Sequence, residues 1–218
     1  MHWFYYVGRA LIRLLLLVLT RWQVVGKGNI PRDGALLVVA NHLSLADPPV
    51  LGVSLPRTTL FMAKEELFRG GFSRYFVRGF GAFPVSRDRV DRAALKTALD
   101  WLARGNALVM FPEGKRSPDH ALQPALPGSA LIAARSGATV LPVAITGTER
   151  VKGKTWWLRR PGITVVIGEP FRLDKCAAGK GGLEEMTGFM MEHIAALLPA
   201  PYRGAYKGRY DGKNRESD

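Results

Sequence analysis

Beyond Gly34 the chain alternates short apolar runs with stretches of helical period. The runs span residues 36–40, 59–63, 82–86, 107–111, 140–145 and 163–167. Most are apolar throughout, the pattern of strands covered on both faces rather than of strands with one wet side. Between them, residues 91–104 place Ala94, Leu95, Ala98, Trp101 and Leu102 on one helical face and stop at Gly105. Residues 128–135 and 183–198 are the other helix candidates. Alternation at this spacing predicts an α/β fold, a single domain with a mostly parallel central sheet flanked by helices.

The first 25 residues follow a different pattern. They are the most apolar part of the chain, yet Arg9 and Arg13 interrupt the run and leave only residues 14–19 unbroken. A spanning helix needs about 20 apolar residues with few charges. On a helix, Tyr6, Arg9, Arg13 and Thr20 fall near one stripe, with Trp3 and Trp22 towards the two ends. That arrangement predicts an amphipathic helix lying in one leaflet, its arginines turned to lipid phosphates. A signal peptide fits less well, because the charges lie inside the run and Arg21-Trp22-Gln23 is no small-residue cleavage site. A packed amphipathic core helix remains the alternative. The expected organisation is therefore a membrane-interface segment over 1–25, the folded domain over 26–199, and a basic, mobile tail over 200–218.

Composition narrows the partners. A chain of 218 residues holds one domain with a full core. Its single cysteine, Cys176, excludes an internal disulfide and a multi-cysteine metal site. Thirty-one Lys and Arg against eighteen Asp and Glu leave a net charge of +13, which calls for an anionic partner. No zinc-finger spacing, RNP-like aromatic motif or unbroken basic helix is present, so nucleic acid is not the expected one. The charge is instead concentrated beside apolar sequence: residues 1–32 carry five basic residues and no acidic one. Trp156-Trp157, flanked by Lys152, Lys154, Arg159 and Arg160, reads either as a second interfacial patch or as a solvated loop with core tryptophans.

The candidate chemistry lies where strands end. Residues 36–40 run into Asn41-His42-Leu43-Ser44-Leu45-Ala46-Asp47, which puts a histidine and an aspartate five residues apart. A carboxylate that accepts from one imidazole nitrogen fixes the tautomer and leaves the other nitrogen to take a proton from a hydroxyl. The third run leads to Arg87, placed either to grip phosphate with its planar fork or to pair with Asp88 or Asp91. The fourth ends Phe111-Pro112-Glu113-Gly114-Lys115-Arg116-Ser117, a Gly turn beside two cations that suits phosphate, or else an ordinary charged loop. In the fifth, Pro142 interrupts an apolar strand and implies a bulge, an edge or a pocket wall.

In this order and spacing the segments resemble the lysophosphatidic acid acyltransferase family, the PlsC-like members of the glycerolipid acyltransferases. Asn41-His42 through Asp47-Pro48 is similar to that family's His-x4-Asp block, and residues 81–87, 111–117 and 141–143 to its later blocks. Residues 61–68 also resemble the family's segment between the first two blocks. The resemblance implies a glycerolipid acyltransferase fold and transfer of a fatty acyl group to the sn-2 hydroxyl of 1-acyl-glycerol-3-phosphate, giving phosphatidic acid. The donor would be acyl-CoA or acyl-carrier protein as co-substrate, with no further cofactor and no metal. By the same resemblance His42 is the base and Asp47 its orienting partner. Arg87, Lys115 and Arg116, with amides near Gly114, would neutralise the acceptor phosphate. Glu113 would hold its glycerol portion, with Asn41, Lys64 and Ser117 completing the substrate-binding set. A monotopic enzyme on the cytoplasmic face of the plasma membrane, working on an anionic phospholipid surface, is the expected setting. Other lysophospholipids, glycerol 3-phosphate or a glycolipid are alternative acceptors, and a non-catalytic membrane-binding protein is the alternative of another class. The chain departs from common family residues at Ser86, Lys115 and Leu126-Pro127-Gly128, positions where the acceptor headgroup is expected.

Overall fold

A computed structural model describes residues 3–68, 70, 79, 81–86, 91–173 and 180–207. Its frame is a seven-stranded sheet: β1 (Arg21–Val25), β2 (Leu36–Ala40), β3 (Thr59–Lys64), β4 (Ala82–Val85), β5 (Ala107–Met110), β6 (Thr139–Thr146) and β7 (Gly162–Ile167). The spatial order is β1-β7-β6-β2-β5-β3-β4. All neighbours are parallel except β6 and β7, so β7 and β1 run against the other five. Five helices are described: α1 (Trp3–Leu19), α2 (Asp47–Ser54), α3 (Arg92–Ala103), α4 (Gly128–Ser136) and α5 (Lys180–Leu197).

The central strand shows why its sequence is apolar throughout. Leu36, Val38 and Ala40 enter one core with Leu16 of α1 and Val50 and Leu51 of α2. Leu37 and Val39 enter the other, against Ala98 of α3, Ala133 of α4 and Met190 of α5. All five strand residues are buried because helices cover both faces. Pro142 sits in the interior strand β6 without leaving an orphaned donor. The β7 ladder reaches Val143 opposite Ile167, breaks at Gly168, and resumes as an isolated bridge between Val140 and Phe171. Pro142 lies at that break, the bulge its position implies.

Two elements escaped the periodicity. The first is β1, an edge strand whose residues alternate exposed and half-buried and whose register comes from β7. Through that pairing Arg21–Val25 joins the sheet. The second is α2, eight residues that begin with Asp47-Pro48-Pro49. Proline is tolerated there because first-turn amides have no helical acceptor. The first residues of the tail make defined contacts. Short 3-10 turns at Ala200–Tyr202 and Gly204–Tyr206 dock on Leu122, whose amide donates to the Tyr202 carbonyl and whose carbonyl accepts from Ala205.

Helix α1 leaves most of its leucines outward, as a leaflet helix requires, but only part of the expected polar stripe joins them: Tyr6 and Arg13 are exposed, Arg9 is half-buried and Thr20 is buried. Its buried stripe is Tyr5, Leu16 and Thr20, with Arg9 and Ile12 half-buried between them. Arg9 does not face outward. Its guanidinium donates to the Leu55 and Arg57 carbonyls at 2.6 and 3.1 Å, and the Thr59 amide donates to the Tyr5 hydroxyl at 3.3 Å. The polar groups dock the helix, while Val7, Leu11, Leu14, Leu15, Leu17 and Val18 are left exposed. Among the described residues, no helix is long and apolar enough to cross a membrane.

Gly147, directly after β6, has φ +89°, and a Cβ there would lie 1.9 Å from the Gly162 carbonyl oxygen. Gly34 has a similar φ of +81° but open space around it. Gly34→Ala should therefore lose only the left-handed strain of about 1–2 kcal/mol. Gly147→Ala must also displace the β7 backbone and should lose clearly more. Urea unfolding of the two variants checks this, and equal losses contradict the close approach.

Candidate active site

The parallel strands β2, β3, β4 and β5, with β6, present their carboxyl ends at one edge of the sheet, where sites of open α/β folds form. β2 delivers Asn41 and His42 there. Asn41 is buried and closes the strand end: its Oδ1 accepts from the Ile145 amide at 2.7 Å and its Nδ2 donates to the Ile145 carbonyl at 2.8 Å. It extends the β2–β6 pairing by one side-chain step, so its amide is committed to the scaffold.

His42 Nδ1 lies 2.7 Å from Asp47 Oδ2, and Asp47 is fully buried. The same oxygen accepts from the amides of Leu43 at 2.6 Å and Ser44 at 2.7 Å. The other, Oδ1, accepts from the Thr148 hydroxyl at 2.5 Å. With the carboxylate accepting, His42 carries its proton on Nδ1 and presents Nε2 as the base. Ser44 is no nucleophile in this geometry, since its hydroxyl accepts from the Ala46 amide and shapes the turn. The imidazole ring stacks on Phe111, with centroids 4.1 Å apart and planes 20° from parallel.

The loop after β5 grips the His42 backbone from both sides. Glu113 Oε1 accepts from the His42 amide at 2.7 Å, and the Ser117 amide donates to the His42 carbonyl at 2.8 Å. Glu113 Oε2 accepts from the Gln123 amide at 2.9 Å, and Ser117 Oγ bonds the Ala121 carbonyl and the Asp119 carboxylate. Both side chains are buried. Glu113 therefore positions His42 through its backbone, with both oxygens already engaged. Between these two anchors Gly114, at φ +68°, turns the chain, and Lys115 and Arg116 project into solvent. A Cβ on Gly114 would meet Leu126 Cδ1 at 2.7 Å, which keeps this turn tight.

The remaining expected residues separate. Lys64, at the end of β3, pairs with Glu66 at 2.9 Å on the surface. Such exposed pairs contribute about 0–1 kcal/mol, so the ammonium is easily released to another anion. Arg87 lies outside the described residues. Ser86, Pro127 and Gly128 are among the positions where the chain departs from common family residues. They line a cavity of about 260 Å³ with Met62, Met110 and Leu131. Met110 and the cavity share the sheet face covered by α3, α4 and α5, whereas Phe111, whose ring stacks on His42, packs against the core on the other face. Leu126, the other departure, packs against the Gly114 turn. Among the described residues, no group of three or more His, Cys, Asp or Glu is placed to hold a metal ion.

Sequence reasoning missed Thr148 and the ring contact of Phe111. The signal for Thr148 was Gly147, whose left-handed turn ends β6 and points the next residue at the β2 loop. Removing its hydroxyl leaves one oxygen of a buried carboxylate without a donor, and a hydrogen bond to a charged group is worth about 1.5–3 kcal/mol. Thr148→Val should lower kcat about tenfold with KM nearly unchanged, and Thr148→Ser should restore it. Steady-state kinetics decide, and an unaltered kcat contradicts the role.

Burial pushes the Glu113 carboxyl up from its ordinary 4.5 to about 7, against the lowering effect of its two backbone hydrogen bonds. Between those values the folded state holds a proton that the unfolded state has lost. Stability therefore falls as pH rises through this window and levels off above it. Glu113→Gln should flatten that slope in denaturation measured from roughly pH 5 to 7. A slope equal to wild type contradicts the shift.

Comparison with known proteins agrees with this geometry. An acyltransferase family model matches residues 21–146. A 1-acyl-sn-glycerol-3-phosphate acyltransferase of Bacillus subtilis is 30% identical over 178 residues, 80% of this chain and 87% of that protein. One of Streptococcus pneumoniae is 32% identical over 69% of this chain, which spans 57% of that longer protein. The crystal structure of the LPA acyltransferase PlsC of Thermotoga maritima is similar with a TM-score of 0.68 and 29% identity, covering 88% of this chain and 78% of that one. The matched segment runs from β1 through β6 and contains His42, Asp47, Glu113 and Arg116, and on this evidence the chain belongs to the acyltransferase family.

Proposed function

We propose that this chain transfers a fatty acyl group from a thioester to the sn-2 hydroxyl of 1-acyl-sn-glycerol-3-phosphate, giving phosphatidic acid for phospholipid synthesis. The observation that carries the reading is the His42–Asp47 couple, 2.7 Å apart at the carboxyl edge of the parallel strands. His42 Nε2 takes the acceptor's hydroxyl proton as its oxygen attacks the thioester carbonyl. Collapse of the tetrahedral intermediate breaks the C–S bond, and the imidazolium returns the proton to the departing thiolate. Asp47 holds the imidazole and stabilises its charged form, the role it would have in a Ser-His-Asp triad. Here the substrate supplies the nucleophile, so no covalent enzyme intermediate forms.

Lys115 and Arg116, exposed on the loop that braces His42, would bind the acceptor phosphate, and the apolar cavity lined by Met62, Met110 and Leu131 suits an acyl chain. Acyl-CoA or acyl-carrier protein is the donor, with no metal or further cofactor. The exposed apolar face of α1 supports a monotopic placement on a phospholipid membrane, and the setting we propose is the anionic cytoplasmic face of the plasma membrane.

His42→Ala should lower turnover of lysophosphatidic acid with acyl-CoA by at least about 100-fold, the usual range for a lost general base. Assay beside other lysophospholipids and glycerol 3-phosphate fixes the acceptor. Full activity of the variant contradicts the mechanism, and preference for another acceptor contradicts the substrate.

A further inference from the structure

β6 ends at the catalytic centre, yet the chain travels from Val151 to Pro161 before β7 begins at Gly162. From Lys152 to Arg160 every residue is exposed except Trp156, which is half-buried. Trp157 and Leu158 are 46% and 64% exposed, with Lys152, Lys154, Arg159 and Arg160 around them. Apolar side chains this exposed, inside a ring of cations, gain nothing from water. An aromatic and a leucine at the level of lipid headgroups, with Lys and Arg against lipid phosphates, satisfy both requirements.

The position of the loop agrees. Thr148, three residues before Val151, donates to Asp47, so the loop leaves directly from the catalytic edge. Val151 packs into the same core as Leu16 and Ile12 of α1. The Arg21 amide, two residues past α1, donates to the Pro161 carbonyl at 3.0 Å. Leu45, between His42 and Asp47, is 66% exposed on this edge as well. The exposed apolar face of α1, Leu45 and the Trp157-Leu158 tip are thus tied to one side of the molecule by these contacts.

We infer that the loop from Lys152 to Arg160 is a second membrane contact: Trp157 and Leu158 enter the interface of an anionic bilayer while the four cations bind its headgroups. The inference rests on the reading that the substrate is a membrane lipid, and it adds a function for the loop. Two contacts, α1 and this loop, fix the orientation of the domain as one helix alone cannot. They set the His42 opening against the leaflet from which a lysolipid arrives. An acidic protein would also suit the cations. The exposed leucine and its linkage to the apolar face of α1 favour lipid over a protein or nucleic-acid partner.

The test is co-sedimentation of the full chain with phosphatidylglycerol-containing vesicles and with pure phosphatidylcholine vesicles. The variants are Trp157→Ser/Leu158→Ser and a fourfold Gln replacement of Lys152, Lys154, Arg159 and Arg160. Each cation near an anionic surface contributes about fivefold to partition (about 1 kcal/mol). The fourfold variant should therefore lose well over tenfold on anionic vesicles and little on neutral ones. The Trp/Leu variant should lose partition on both. Turnover of detergent-dispersed substrate should stay at the wild-type level in both variants, which controls for folding. Brominated lipid should quench wild-type fluorescence more than that of Trp157→Phe. Wild-type partition in both variants, or equal quenching, overturns the inference, as does a defect seen only with carrier-protein donor or only in nucleic-acid binding. Because His42→Ala should partition as wild type does, failure of the acyl-transfer reading is seen separately.

Discussion

The buried Asp47 carboxylate is the constraint around which the site is built. A charge with no solvent exposure loses several kcal/mol of hydration, and only close, well-directed donors offset that loss. Asp47 has four: His42 Nδ1, two consecutive loop amides and the Thr148 hydroxyl. Its place in the first turn of α2 adds the favourable end of the helix dipole. Each donor belongs to a different part of the fold's problem. The amides require the tight loop after β2, the hydroxyl requires β6 to end in a left-handed turn, and the imidazole is the group to be aimed.

Aiming the imidazole needs a fixed backbone as well as a fixed ring. The β5 loop provides it by taking the His42 amide and carbonyl into hydrogen bonds with Glu113 and Ser117. The ring itself is held between Asp47 and the face of Phe111. Lys115 and Arg116 sit between the two anchored residues, so their backbone is held close to that of His42 while their side chains are exposed. In this way the five residues from Glu113 to Ser117 brace the base and, in the proposed reaction, supply its anion site. The tail joins the same arrangement, because the Tyr202 carbonyl accepts from Leu122, the neighbour of Gln123, whose amide holds Glu113.

Much of this was legible in the sequence, and the exceptions have physical causes. The central strands were visible because burial on both faces demands unbroken apolar runs, and the His–Asp spacing was visible because both residues lie on one loop. β1 was hidden because an edge strand needs a partner more than a pattern. α2 was hidden because two prolines at its start look like a break. In α1 the exposed leucines fit the sequence reading, and Arg9 departs from it because the carbonyls of Leu55 and Arg57 lie within its reach. The scaffold bonds of Glu113 and Asn41 were hidden because a polar residue after a strand suits either a ligand or a scaffold bond. Thr148 lies 101 residues from Asp47, beyond any local pattern.

The central claim is that Asp47 fixes His42 in one tautomer, with Nε2 bare and facing the acceptor. Nitrogen-15 chemical shifts of the His42 ring in the neutral state test it directly. The account predicts a protonated Nδ1 and an unprotonated Nε2, with the preference lost in Asp47→Asn. A proton residing on Nε2, or a ring that samples both tautomers equally in the wild type, would contradict it.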